Sequence, residues 1–171
     1  MTIARIAAGG AIACLIGLAG CNLHGEADLR AALGQYFTLG DTLSFESKMT
    51  CTAAVIRAAL NDVKPEMPLA TTSADAQELF RATGKAALRA EGQTPHTLTD
   101  QMLTTEDGVF GRQALAAAAL VGKCLSETDS QDFHRALTRP GATIAYDTGV
   151  GGVMILDPVE RKLFFAAGDP L

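Results

Sequence analysis

The sequence predicts an α+β fold: a single antiparallel sheet of about four to five strands, three of them a C-terminal meander, packed with three to five helices. Three observations carry this expectation. Residues 142–167 contain three short apolar segments separated by the turn-rich stretches "DTGVG" and "DPVER". Residues 26–36 and 73–80 repeat apolar side chains at helical spacing. Residues 113–125, "QALAAAALVGKCL", are apolar almost all round, as in a buried helix too short to span a bilayer.

In chain order, Glu26 to Tyr36 sets Leu29, Ala32, Leu33 and Tyr36 on one helical face, continued by Phe37. Glu26 and Asp28 suit the positive end of that helix dipole. Thr42 to Glu46 alternates apolar and polar residues and reads as a strand. Cys51 to Leu60, "CTAAVIRAAL", fits a helix by its alanines and a buried strand by Cys51, Thr52, Val55 and Ile56; the strand is preferred. Asn61 to Thr72 holds two prolines and reads as a loop. Ser73 can cap a helix through Phe80, with Gly84 placed as its terminating glycine. Lys85 to Ala90 can extend that helix or turn back as a strand, and the strand is again preferred. As a helix it would align Arg81, Lys85 and Arg89 in a basic stripe, most simply a solvated face. Thr128 and Gln131 form a capping box opening a short helix through Leu137, which "RPG" ends. The segments 142–146, 152–156 and 162–167 form the meander. "VMIL" and "LFFAA" are apolar on both faces, which implies that helices cover much of the sheet.

The start of the chain concerns its address. Met1 and Arg5 give a positive beginning, and Ile6 to Leu18 carries no charge. That stretch falls short of the roughly 20 apolar residues a spanning helix needs, and small residues follow it, as in a cleaved signal. Leu18-Ala19-Gly20-Cys21 resembles the lipobox of bacterial lipoproteins. The resemblance implies a signal peptide over residues 1–20, a diacylglyceryl group on Cys21 and commonly an acylated amine there. Residues 21–25 would be a short lipidated tether and 26–171 a single globular α+β domain. It also implies a periplasm-facing place in the bacterial envelope, with Asn22 resembling outer-membrane more than inner-membrane sorting. The competing reading is ordinary cleavage after Ala19, with Gly17 and Ala19 as the small residues.

Cysteine usage separates the two readings. Lipoprotein processing discards Cys14 and modifies Cys21, leaving Cys51 and Cys124, an even number suited to an oxidising compartment. Ordinary cleavage would leave three. A structural Cys51–Cys124 disulfide is expected. A redox pair is the alternative, without the C-x-x-C spacing such pairs use. "LGDTLSFESKMTCTAAVI", Cys124 and "GATIAYDTGVGGVMILDPVERKLFFAAGD" are similar to uncharacterised proteobacterial envelope proteins. That likeness supports the same pairing and implies no activity.

Losing residues 1–20 removes Arg5 and no acidic residue, moving the net charge from −5 to −6. An acidic surface disfavours nucleic acid and anionic lipid as primary partners. The lack of tryptophan disfavours aromatic recognition platforms.

Asp147-Thr148-Gly149 matches the tripeptide of aspartic proteases, which need two carboxylates sharing a proton. Too little chain follows Gly149 to complete such a fold, and a turn explains the residues better. The same glycines lack the Lys-Ser/Thr of a phosphate loop. Glu127, Asp129, Asp132 and His134 contain metal-ligand types, yet acidic residues are ordinary at a helix start. His24, His96 and His134 are scattered, and neither G-x-S-x-G nor H-E-x-x-H occurs.

The expectation is therefore a membrane-anchored lipoprotein with a non-catalytic interaction or structural role. It would have no catalytic, cofactor or metal residues and no nucleic-acid partner, and an envelope protein is a possible partner. The alternatives are a small hydrolase-like periplasmic enzyme without a motif and a module binding an apolar ligand or lipid. Oligomeric state stays open.

Overall fold

A computed structural model describes residues 24–105 and 108–168. The signal segment and Cys21 lie outside the described residues.

Seven strands form one mixed sheet. A hairpin of β1 (Phe37–Ser47) and β2 (Cys51–Val63) occupies one side. β2 then pairs with β7 (Lys162–Gly168), followed by β6 (Gly152–Asp157), β5 (Thr143–Asp147), β4 (Lys85–Leu88) and β3 (Leu69–Ala70). Every neighbouring pair is antiparallel except β3–β4. The expected four to five antiparallel strands are thus corrected to seven in a mixed sheet. Of the two ambiguous segments, 51–60 lies wholly in a strand and 85–90 is a strand over Lys85–Leu88. The seventh, β3, is two residues long and sits beside Pro68 in the stretch expected to be a loop. The helix α2 (Ser73–Thr83) connects β3 to β4, and such a crossover is what makes that pair parallel.

Among the described residues there are five further helical segments: α1 (Glu26–Leu33), α3 (Pro95–Leu103), α4 (Val109–Ala119), the single turn α5 (Val121–Cys124) and α6 (Glu127–Leu137). Helices α2 to α6 cover one face of the sheet. There Phe80, Phe110 and Phe133 pack on Val55, Leu88, Ile144, Val153, Ile155 and Phe164. On the other face Leu29 and Leu33 of α1, with Tyr36, Phe37 and Met67, cover Ile56, Met154, Leu156, Leu163 and Phe165.

An eight-residue helix is small for that task, and the long hairpin assists it. Arg57 faces Lys162, the first residue of β7, so the last six residues of β2 run past the strand they pair with. This overhang bends back: the Asn61 side-chain amide donates to the Pro158 carbonyl at 2.9 Å, and its main-chain carbonyl accepts from Arg89 at 3.4 Å. Register shifts in β1 between Phe37 and Ser44 supply the local twist for such a bend.

Several boundaries move. The first helix stops at Leu33: residues 34–36 form a turn and Phe37 opens β1. Thr72, not Ser73, caps α2 by accepting from the Asp75 N–H, and Gly84 ends it at φ 74° as expected. Residues 113–125 are not one helix but α4 and α5, broken at Leu120. Leu115 is 52% exposed, so the segment is buried on one side only. The capping residue of α6 is Ser126, reciprocating with Asp129, rather than Thr128 with Gln131. Among the described residues no helix is long and apolar enough to cross a membrane.

Candidate functional site

The end of the sheet carrying the β5–β6 turn gathers the most unusual polar groups in the molecule. β5 ends at Asp147, whose residue exposure is 6%. Its Oδ1 accepts the Gly149 N–H at 2.7 Å, the local reason for an aspartate two residues before a glycine. Its Oδ2 accepts the Tyr36 hydroxyl at 2.5 Å. Tyr36 follows α1 and is itself buried, so the phenol crosses the inner face to reach the end of β5.

Lys85 lies opposite Asp147 in the β4–β5 ladder. Its ammonium is 4.9 Å from the Tyr36 ring centre and 3.5 Å from the hydroxyl. Burial, then the hydrogen bond to Asp147 and its charge, push the Tyr36 hydroxyl up to about 12. Burial and the same carboxylate also raise Tyr146, on the opposite face. A phenol held protonated in this way donates and does not act as a base. Both Asp147 oxygens are engaged, so the Asp-Thr-Gly tripeptide serves as a turn and a tertiary tie.

The same turn is held from two further directions. The Thr148 N–H and hydroxyl both donate to the Gly84 carbonyl at 3.0 Å. A Cβ on Gly84 would stand 2.8 Å from the Thr148 hydroxyl, so both its left-handed backbone and its surroundings call for glycine. His24 places Nε2 2.8 Å from the Val150 carbonyl, which makes Nε2 the protonated nitrogen. Its ring meets Phe165 edge-on at 5.5 Å, and its N–H reaches the Ser47 hydroxyl at 3.5 Å. The first described residue is therefore docked at this end of the sheet.

The disulfide lies at the same end. Cys51 opens β2, Cys124 closes α5, and their Sγ atoms are bonded with Cα atoms 6.1 Å apart across a separation of 73 residues. It ties the base of the β1–β2 turn to the helical layer.

The remaining expected residues are not brought together. Asp129 is used in the Ser126 cap, while Asp132 bonds Arg135 and lies 2.6 Å from the Lys162 ammonium. Among the described residues no group of three or more His, Cys, Asp or Glu side chains is disposed to hold a metal. His96 faces Asp100 at 3.4 Å on the exposed side of α3 and His134 is on α6, whereas His24 packs on Phe165 at the other face of the sheet. Arg81, Lys85 and Arg89 do not share one helix, since Lys85 is in β4.

On the helical face, a crevice of about 50 Å³ lies among His96, Ala114, Leu115, Leu137, Ile144 and Val153. Ligand sites usually hold roughly 300–1,000 Å³. A second hollow of about 290 Å³ is lined by Gln77, Phe80, Arg81 and Val109. The Gln77 amide is already engaged there with the Met102 carbonyl and the Thr105 hydroxyl.

The Tyr36–Asp147 tie was missed from the sequence because its partners are 111 residues apart. The aspartate was visible in its tripeptide; nothing local marked the tyrosine. No protein-family model, no curated protein and no solved structure matches the chain.

Proposed function

We propose that this chain is a lipid-anchored protein of the bacterial envelope that acts by contact, not catalysis, with its domain held close to the membrane surface. The observation that carries the reading is the docking of His24 on Val150 and Ser47. A chain destined for a lipid on Cys21 gains from a rigid exit point. Here only Asn22 and Leu23 separate the cysteine from a residue already fixed to the sheet. Fully extended, those three steps reach about 10 Å, so the lipid and the domain end would move as one body.

Asn22, directly after the cysteine, favours the outer membrane on the sorting pattern of bacterial lipoproteins. The engaged state of Asp147, tied by Tyr36 and Gly149, supports a structural use for the most buried polar cluster at this end. Intact-mass measurement of the membrane fraction tests the anchor. The expected chain starts at Cys21 and carries diacylglyceryl mass. A chain starting at Gly20, or one without added lipid, rejects it. Crosslinking in native membranes tests the contact role, which fails if no protein is recovered above an unlipidated Cys21→Ala control.

A further inference from the structure

The β1–β2 turn, Lys48–Met49–Thr50, is exposed throughout, and Met49 at 78% is the most exposed large apolar residue described. The turn is not a loose tip. Lys48 donates its N–H to the Cys51 carbonyl at 2.8 Å and its ammonium to the Lys123 carbonyl at 2.9 Å. Cys51, the next residue after the turn, is disulfide-bonded to Cys124. A rigid base thus presents an apolar side chain outward, flanked by the exposed Lys48 and Lys123. His24 lies beside it, with its main-chain N–H 3.5 Å from the hydroxyl of Ser47, two residues before Met49.

We propose that this turn rests in the headgroup layer of the bilayer, with Met49 entering the acyl boundary and the lysines at phosphate level. The inference rests on the lipid-anchor reading and adds to it the orientation of the domain. His24, three residues after Cys21 in the sequence, lies beside the turn, so a bilayer holding a lipid on Cys21 is the nearest apolar phase. Long cationic side chains are suited to reach the interface while their stems stay apolar. Val159, in the β6–β7 turn, is a matched reference: it is 67% exposed but lies at the other end of the sheet. The six residues of β6 put about 17 Å between the two ends.

The chain contains no tryptophan, so one introduced residue is a unique reporter. Met49→Trp, Thr50→Trp and Val159→Trp proteins would be purified with their native lipid, checked by mass, and reconstituted in phosphatidylcholine vesicles with brominated acyl chains. Tryptophan favours the membrane interface, so position 49 should shift to the blue and lose most of its emission. Position 50 should follow in part and position 159 should do neither. Equal, water-like emission from lipidated proteins at 49 and 159 overturns the orientation and leaves the anchor intact. Blue-shifted emission at 49 that bromine does not quench puts a protein against the turn and overturns the lipid contact. Chains lacking lipid reject the anchor itself, and the orientation with it.

Discussion

Two aspartates close the two turns of the C-terminal meander, and their side chains are partnered in different ways. Asp147 and Asp157 are both buried, at 6% and 1% exposure, and each takes up backbone N–H groups of the turn it begins. Gly149 donates to the first at 2.7 Å; Val159 and Glu160 donate to the second at 2.8 and 3.2 Å. Beyond that the ends diverge. Asp147 faces the neutral Tyr36 phenol, whereas Asp157 faces the Arg139 guanidinium at 2.9 Å. Around the second lies an alternating network in which Lys162 joins Asp132 and Glu160, and Arg139 also approaches Glu160. The backbone half of an aspartate turn is local and similar at both ends. The side-chain half is tertiary, and it decides whether an end is held by a phenol or by charges.

That contrast can be broken most sharply at the charged end. Asp157→Ala removes the nearer of two carboxylates from a three-quarters-buried Arg139, leaving Glu160 at 3.7 Å, and takes the acceptor from two N–H groups. Loss of one member of a buried pair usually costs several kcal/mol, and about 3 kcal/mol is expected here because Arg139 keeps some water. Chemical denaturation read as a midpoint shift at constant slope measures it. At the neutral end, Tyr36→Phe removes one hydrogen bond to a carboxylate and should cost about 2 kcal/mol. A Tyr36→Phe loss equal to or above that of Asp157→Ala would invert the ranking.

The smallest expected effect is a pH dependence. The Tyr36 hydroxyl stands at about 12 in the folded chain against 10.0 in its ordinary state. Below pH 10 both folded and unfolded chains keep the proton and the contribution is complete. Between 10 and 12 the unfolded chain alone releases it, so stability falls as pH rises. Lys162 is also raised, mainly by its hydrogen bond to Asp132, and adds a decline above 10.5 from the charged end. Tyr36→Phe should reduce the first decline to the share left by Tyr146, whose hydroxyl burial also raises, and leave the second. Unfolding midpoints followed through that window separate them, and an unchanged slope in the variant would detach Tyr36 from the effect.

What was legible in the sequence follows from how local each interaction is. The meander, Gly84 and the strand at 51–60 follow from turn residues, a left-handed position and β-branched side chains, all read within a few residues. The pairing of Cys51 with Cys124 came from counting cysteines. β3 escaped because Leu69–Ala70 is too short for any period. α3 escaped although Thr94 and Pro95, its cap and first residue, were a readable start signal. The break at Leu120 has neither proline nor glycine, and the sheet beneath it, where Gly168 leaves room for the Leu120 side chain, accompanies the change of direction. At the site, Asp147 could be read as a turn residue, while Tyr36, Lys85 and His24 meet it or its loop only once the sheet has formed.

The place of β7 bears on the order in which the molecule can be completed. It lies between β2 and β6, so within the sheet the first hairpin and the β3–β6 group are joined by a strand that comes after both in the chain. Until then β2 and β6 each present a free edge, and every contact between them awaits a segment about a hundred residues after β2. Pairings this distant in sequence are slow to form. Cys51 and Cys124 both precede β7 in the chain, and their bond, formed in an oxidising compartment, ties the hairpin to the helices without using that strand.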